Sequence, residues 1–538
     1  MKRIVSLILL LGYLISLAAC SKVPDEPDTE KPEEAPHVCE YTVESTKAAY
    51  IKTRASCTQR AEYYYSCSCG AKGTESFEYG ELAGHDFFLK SATQKYLVKE
   101  ATVKTSAVYY KSCRCGATGT STFEHGDPIK LSTEEQKYLP TSLTVTLYDS
   151  LGAVYGFTYN TVESPREGVI EIKKSGDNVW SEYIPASYAA TTTDDTGAEL
   201  TYYISKAEIA LLPDTSYVYR VTDKALGIST PESKLDTKNA YTESFTFAHV
   251  SDSQAGTAEF RNVMAAVSDK VDFVIHTGDV VQYAHKEYEW TEMLDKNYEY
   301  VAGMPIMPMT GNHETSYNNA TYEIEKHFNN QIPTQSSTAL GYYYSFVYGN
   351  VKFIMLNTND LADNRLKDEQ YNWLISELES NTCKWTVVAM HNPMYSVGKY
   401  GADETRNAIA LALRDQLQGV FAQYGVDLVL QAHDHAISRT FALDADGVGT
   451  DENIVTEGGV EYTVDPCGVV YLMNGPAGTQ TRSPVAVDET LYAHAETGRK
   501  ASWAEITVTG DTLTVTVKWY NGFSEQVYYS WGIKKAHK

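Results

Sequence analysis

Five segments share one pattern, and together they restrict the fold more than any other feature of the chain: FTFAHVSDSQ (245–254), VDFVIHTGDV (271–280), PIMPMTGNHE (305–314), KWTVVAMHNP (384–393) and VDLVLQAHDH (426–435). Each begins with an apolar run, as a buried strand does, and then switches to Asp, Asn or His. Amphipathic helical stretches separate them; in DEQYNWLISELE, Tyr371, Leu374, Ile375 and Leu378 fall on one face. Strands alternating with helices predict an α/β region over about 244–525. In such sheets ligands gather beyond the carboxyl ends of the strands, so the polar tips are expected to converge.

Taken singly, the tips have ordinary explanations. Asp252, Asp279 and Asn312 suit turns after strands. His391 alone reads as a satisfied core histidine, and His433 with His435 as a surface pair. Their joint occurrence, each directly after an apolar strand, points instead to a shared metal site. Two cations held about 3.5–4 Å apart need a carboxylate between them and hard oxygen and imidazole donors around them.

The order of the tips, Asp-x-Gln, Gly-Asn-His-Glu and Ala-His-Asp-His among them, resembles the calcineurin-like metallophosphoesterases. HNPMYS (391–396) is similar to the His-x-Pro-x-Tyr-Ser of purple acid phosphatases, and Gln370, Trp373 and Leu374 match a Gln-x-x-Trp-Leu helix. The resemblance implies a four-layer α/β/β/α domain with Asp279 bridging two metals. Asp252 and His435 would complete one site; Asn312, His391 and His433 would complete the other. His313 would protonate the leaving group while a metal-bridged hydroxide attacks phosphorus, in a hydrolysis of small-molecule phosphate monoesters with Fe, Mn or Zn as cofactor. A phosphodiesterase on the same site is the alternative within the enzyme class. A surface binding protein with a vestigial phosphatase domain is the alternative outside it.

The departures from that pattern matter. Gln254 stands where imidazole is usual, and is expected to ligate as a weaker, uncharged oxygen donor. The place of the iron-binding Tyr of purple acid phosphatases is Gln282, with Tyr283 one residue late, so a purple colour is not expected. Ala432 replaces a Gly before the His pair, and Ile437 a Tyr after it. His249, His276 and His285 lie outside the matched positions, and Glu314 is expected to support the Asn-His loop.

Upstream, Lys2 and Arg3 precede an apolar run ending in LAAC, which resembles a bacterial lipobox with Cys20 as the lipidated residue. Residues 1–20 then read as a lipoprotein signal, and the acidic, Pro-rich 21–36 as a tether. The protein would face outward at the cell envelope, anchored to the membrane by lipid. A net charge of −25 argues against nucleic-acid backbones as partners.

Between tether and α/β region lie two further parts. AEYYYSCSCGAKGTESFEYG (61–80) recurs as AVYYKSCRCGATGTSTFEHG (107–126), offset by 46 residues, so 37–126 holds two small Cys-rich repeats. Cys39, Cys57, Cys67 and Cys69 of the first suit a closed zinc site or two disulfides. The second keeps Cys113 and Cys115, has His85 in the place of Cys39, and offers His125 as a further candidate. From 138 to 241, short alternating strands predict a β-sandwich. Its LLPDTSYVYRV is similar to fibronectin-III-like domains, in particular the one preceding the catalytic domain of purple acid phosphatases; its expected role is a rigid spacer shaping one wall of a cleft. The fold class is thus multidomain: Cys-rich repeats, a fibronectin-III-like sandwich, then a metallophosphoesterase domain. Cys383 and Cys467 are expected to be buried and inert.

Overall fold

The computed structural model describes residues 37–536 except 104, 150–152, 194–195, 197, 240, 255, 316–321, 334–341, 403–406, 451–452 and 486. The signal segment with Cys20 and the 21–36 tether lie outside the described residues. The chain divides into two compact units: residues through Tyr96 with Tyr110–Phe123, and Leu97–Tyr109 with everything from Glu124 onward.

In the first repeat, Ile51–Thr53, Ala61–Ser66 and Lys72–Tyr79 form an antiparallel sheet. Every strand recurs 46 residues later, as Leu97–Lys99, Ala107–Ser112 and Thr118–His125. A turn with Gly70 at φ 90° in the first repeat, and Gly116 at 87° in the second, folds each Cys-x-Cys-Gly back on itself.

The sandwich has two antiparallel sheets. Ala186–Thr193, Glu199–Ala210, Val154–Thr161 and Thr141–Leu147 make one; the other is built around Gly168–Lys174 and Ser216–Asp223. Alternating side chains fill the space between them, and Phe157 from the first sheet meets Tyr219 from the second edge to face, with ring centroids 5.1 Å apart. Hydrogen bonds tie the sandwich to the C-terminal region: Asn160 Nδ2 donates to Glu287 Oε1 (2.9 Å) and Thr192 Oγ1 to the carbonyl of His285 (2.7 Å).

The C-terminal region packs two large sheets face to face. In one, Ile306–Pro308, Phe273–His276 and Ser244–Val250 run parallel, and Ser502–Thr509, Thr512–Tyr520 and Glu525–Lys534 continue the sheet. The last of these strands carries the domain past residue 525. In the other, Val351–Leu356, Trp385–Met390, Leu428–Gln431 and Val470–Asn474 are parallel neighbours. Aromatic side chains join the sheets, with Phe247 of one edge to face with Phe353 of the other at 5.1 Å. The helix Thr257–Val267 covers the first sheet and Asp368–Glu379 the second, completing four layers. The buried face of Asp368–Glu379 runs through Gln370, Trp373, Leu374 and Leu378, so its centre is rotated from the predicted stripe and Ile375 is only half covered. Cys383 is half-buried and Cys467 exposed, against the expectation for both; Cys467 sits in the turn before Val470–Asn474, open to solvent.

Candidate metal centre

Parallel pairing sets the carboxyl ends of Ser244–Val250 and Phe273–His276 side by side, and likewise those of Trp385–Met390 and Leu428–Gln431. The loops leaving these ends carry every predicted ligand except Asn312, which follows the neighbouring parallel strand Ile306–Pro308. Four of the ligands have left-handed backbone: φ is 51° at Asp252, 55° at Asp279, 69° at His433 and 51° at His435. For a residue with a Cβ this costs about 1–2 kcal/mol, and such strain concentrates where side chains must be aimed. The turns at 433 and 435 answer a geometric difficulty in the sequence. Two histidines one residue apart point the same way on an extended strand, whereas here they reach different donor groups.

Those groups are Asp279, His391 and His433 on one side and Asp252, Asp279 and His435 on the other, each with ligand atoms within 4.8 Å of one another. Asp279 belongs to both, as a bridging carboxylate must. His391 Nε2 lies 3.4 Å from Asp279 Oδ1 and 3.2 Å from Asn312 Oδ1, and His435 Nε2 lies 3.3 Å from Asp252 Oδ1. Gln254 Nε2 lies 3.4 Å from Asp279 Oδ2, and its Oε1 is buried with no partner among the described residues. All seven predicted ligands are thus brought together, and all but Asn312 and His433 are essentially out of solvent.

The surroundings fix which atom each ring presents. His391 Nδ1 faces the Thr277 carbonyl at 2.8 Å and His435 Nδ1 that of Gln480 at 2.7 Å. Each Nδ1–H donates there, so Nε2 is the ring atom turned to the centre. Glu314 accepts from the backbone N–H groups of Asp279, Val280 and Gly311 at 2.7–2.8 Å, strapping two ligand loops together as expected. Gly311 is required beside it, because a Cβ there would lie 2.2 Å from Asp279 Oδ1.

Charge is balanced internally. Burial opposes ionisation of Asp252 and Asp279, but His435 and His391 respectively outweigh it and hold both carboxyls below their ordinary range. Burial depresses His391, while Asp279 lifts it to about 9. Burial, reinforced by His391, pushes His433 down to about 3, and burial with Asp279 pushes Glu314 up to about 7. Two buried carboxylates, three imidazoles and two amide oxygens, the Gln254 one orphaned, form a donor set that fits a pair of hard or borderline cations.

His313 stands apart from the ligands with its ring partly exposed. Its Nδ1 is 2.8 Å from the Gln282 carbonyl, and its Nε2 is 3.9 Å from Asp279 Oδ2 on the open side. Gln282 Nε2 also approaches His313 Nδ1 at 3.2 Å, while Tyr283 is 47% exposed and turned to solvent. Neither position therefore places a tyrosine among the ligands.

A cleft of about 820 Å³ opens beside His313. Tyr188, Thr191 and Lys206 of the sandwich line it together with Glu323, Lys326 and Tyr342, and Lys326 Nζ donates to the Thr191 carbonyl at 3.0 Å. The sandwich does shape the cleft. His285, set aside in the sequence, also lines it, whereas His249 and His276 are buried behind the ligands against Thr277 and Ser253. Two further neighbours carried no signal in the sequence. Tyr400 packs on the His433 ring, with centroids 4.1 Å apart, and the Arg482 guanidinium lies 5.0 Å from Tyr400 while donating to the His433 carbonyl at 3.1 Å. Tyr400 lies in the short helix Lys399–Ala402 and Arg482 in a loop, and neither segment carries a motif.

The grouping of the cysteines differs from expectation. His37, Cys39, Cys67 and Cys69 form one cluster, and Cys57 joins His85, Cys113 and Cys115 in another. The reason is local: the Ala83 N–H donates to the Ser56 carbonyl at 2.9 Å and draws the Cys57 turn to the start of the second repeat. His125 belongs to neither cluster.

Comparison with known proteins agrees with this geometry. The calcineurin-like phosphoesterase family model matches residues 245–436, an interval that holds all seven ligands and His313. Purple acid phosphatase 15 of Arabidopsis thaliana is 27% identical over 187 residues, 34% of this chain and 31% of that protein. Acid phosphatase type 7 of Homo sapiens is 30% identical over 203 residues, 35% of this chain and 43% of that protein. The chain thus spans under half the length of these curated relatives. In fold, a purple acid phosphatase from yellow lupin (Lupinus luteus) seeds superposes with a TM-score of 0.62 at 16% identity, covering 74% of this chain and 75% of that one. PhoD superposes with a TM-score of 0.52 at 15% identity, covering 74% and 91%. Residues 245–436 of this chain thus carry the domain that the calcineurin-like phosphoesterase family model describes.

Proposed function

We propose that this protein is a metal-dependent phosphomonoesterase whose two ions, Fe, Mn or Zn, are held by Asp252, Gln254, Asp279, Asn312, His391, His433 and His435. The observation that carries the reading is the place of Asp279 in both donor groups. When bound, the metal pair supplies Lewis acidity toward phosphoryl oxygens and an activated water nucleophile. The rest is done by the chain. Asp252 and Asp279 fix the charge of the centre, and the Nδ1 bonds of His391 and His435 keep their rings aimed. His313, held by the Gln282 carbonyl, turns Nε2 toward the open side, where its proton passes to the leaving oxygen. The leaving group occupies the cleft beside it, against a mixed aromatic and charged wall in which Lys326 pairs with Glu323 at 2.9 Å.

The test uses the full chain reconstituted with each metal and assayed on p-nitrophenyl phosphate and bis(p-nitrophenyl) phosphate. The monoester is turned over faster, and Asp279→Asn reduces turnover to background. Preference for the diester would replace the monoesterase reading, and unchanged turnover in Asp279→Asn would sink the mechanism.

The location we propose is the outer face of a bacterial cell envelope, with a lipid on Cys20 and residues 21–36 as tether; the LAAC motif after an apolar run supports it. Loss of labelled fatty-acid incorporation in Cys20→Ala is the expected result, and persistence would refute the anchor. The 138–241 sandwich is read as fibronectin-III-like on the strength of its LLPDTSYVYRV turn and strand.

A further inference from the structure

The Cys-rich repeats hold a chemistry that the phosphoesterase reading does not use. We propose that they bind two structural zinc ions, one through His37, Cys39, Cys67 and Cys69, the other through Cys57, His85, Cys113 and Cys115, so that the second ion staples the first repeat to the second.

Each cluster brings three thiols and one imidazole within 4.8 Å. Cys39 Sγ is 3.5 Å from Cys69 Sγ, and Cys57 Sγ is 3.6 Å from Cys113 Sγ. A tetrahedron with Zn–S bonds of about 2.3 Å has edges of about 3.8 Å, so these spacings suit thiolates around a common ion. His37 Nε2 reaches Cys67 Sγ at 2.8 Å, and His85 Nδ1 reaches Cys115 Sγ at 3.3 Å. Three thiols in each cluster cannot all be used in disulfides within it, whereas a Cys₃His set is a closed structural zinc site with no position left for a substrate.

The backbone explains why the fourth ligand is exchanged. Val43 bridges Ser66 in the first repeat and Leu89 bridges Ser112 in the second, so the repeats share one register. Cys39, Cys67 and Cys69 then correspond to His85, Cys113 and Cys115, and His37 corresponds to Ala83, which has no donor atom. That position is where the Ala83 N–H bonds to the Ser56 carbonyl, presenting Cys57 of the preceding repeat. The same bond recurs after the second repeat, from the Ile129 N–H to the Thr102 carbonyl at 2.9 Å, but the residue equivalent to Cys57 there is Val103. The Cys57 position is thus the one that a repeat lends to its successor.

Cobalt(II) substitution in the reduced full chain tests this, because thiolate-to-cobalt charge-transfer absorption reports only thiol-bearing sites and is silent for the Asp/His centre. Two thiolate-bound equivalents are expected. Cys57→Ser loses one and keeps the other, Cys69→Ser loses the other, and Val103→Ser loses neither. Cys57→His, which restores a donor, should return the second equivalent and so separates ligand loss from misfolding. Absence of the band in the wild-type chain, or two full equivalents in Cys57→Ser, would overturn the proposal.

Discussion

Gln254 directs its amide nitrogen at Oδ2 of Asp279, 3.4 Å away, and leaves its own Oε1 buried without a partner among the described residues. An unpaired buried amide oxygen costs about 1–3 kcal/mol, and a cation beside the shared carboxylate is what this one lacks. A degraded ligand position would more naturally hold an apolar side chain or a satisfied one. Metal stoichiometry measured by elemental analysis should therefore approach two ions per chain at the Asp/His centre, counted after subtracting zinc held by the cysteines. Gln254→Ala should weaken one of the two by roughly tenfold or more, while Gln254→His should tighten it for zinc. Equal occupancy in wild type and Gln254→Ala would remove Gln254 from the ligand set.

The acid role of His313 predicts a dependence on the leaving group. General acid catalysis contributes about 10²–10⁴-fold, and most of it is needed when the leaving alkoxide is a poor one. In His313→Ala, kcat on an alkyl phosphate should fall by that factor, while kcat on p-nitrophenyl phosphate, whose phenolate leaves without help, should fall much less. A uniform loss on both substrates would show His313 to be a binding residue instead.

Much of this centre was legible in the sequence because each ligand follows a buried strand, and within each of the two packed sheets those strands run parallel and end together. The aim of the side chains was not. Left-handed backbone at Asp252, Asp279, His433 and His435 leaves no mark in residues that also suit ordinary turns. Tyr400, from the short helix Lys399–Ala402, and Arg482, from a loop, reach the centre along segments whose course depends on tertiary packing. Cys57 was misgrouped for a related reason: sequence proximity places it in its own repeat, whereas one backbone hydrogen bond between Ala83 and Ser56 gives it to the next.

The position of Gln282 makes a spectroscopic prediction. Its side chain contacts His313, and the nearby Tyr283 is 47% exposed with the Lys286 ammonium 4.9 Å from its ring centroid. No phenolate is available to ligate iron at this place. The iron-loaded chain should be active yet lack the visible phenolate-to-ferric band, and a purple colour would mean that a tyrosine from elsewhere enters the centre.

His249 sets a limit on acid stability. Its ring is fully buried, with Nε2 2.9 Å from Thr277 Oγ1 and Nδ1 without a partner among the described residues. Burial first, and His276 second, push it from the ordinary 6.5 down to about 3, against a smaller opposing effect of Asp252. In the folded chain it stays neutral where the unfolded chain already takes a proton. Stability from this group is therefore intact above pH 6.5 and lost as pH falls from there toward 3, by as much as a few kcal/mol. His249→Phe keeps the ring volume and loses the Thr277 bond equally at every pH, so it should lower the melting temperature near neutrality yet flatten the decline on the acid side. The comparison is made with a chelator present, so that metal release does not enter. Parallel melting curves for the two proteins between pH 6.5 and 4 would mean that His249 is already charged in the folded state.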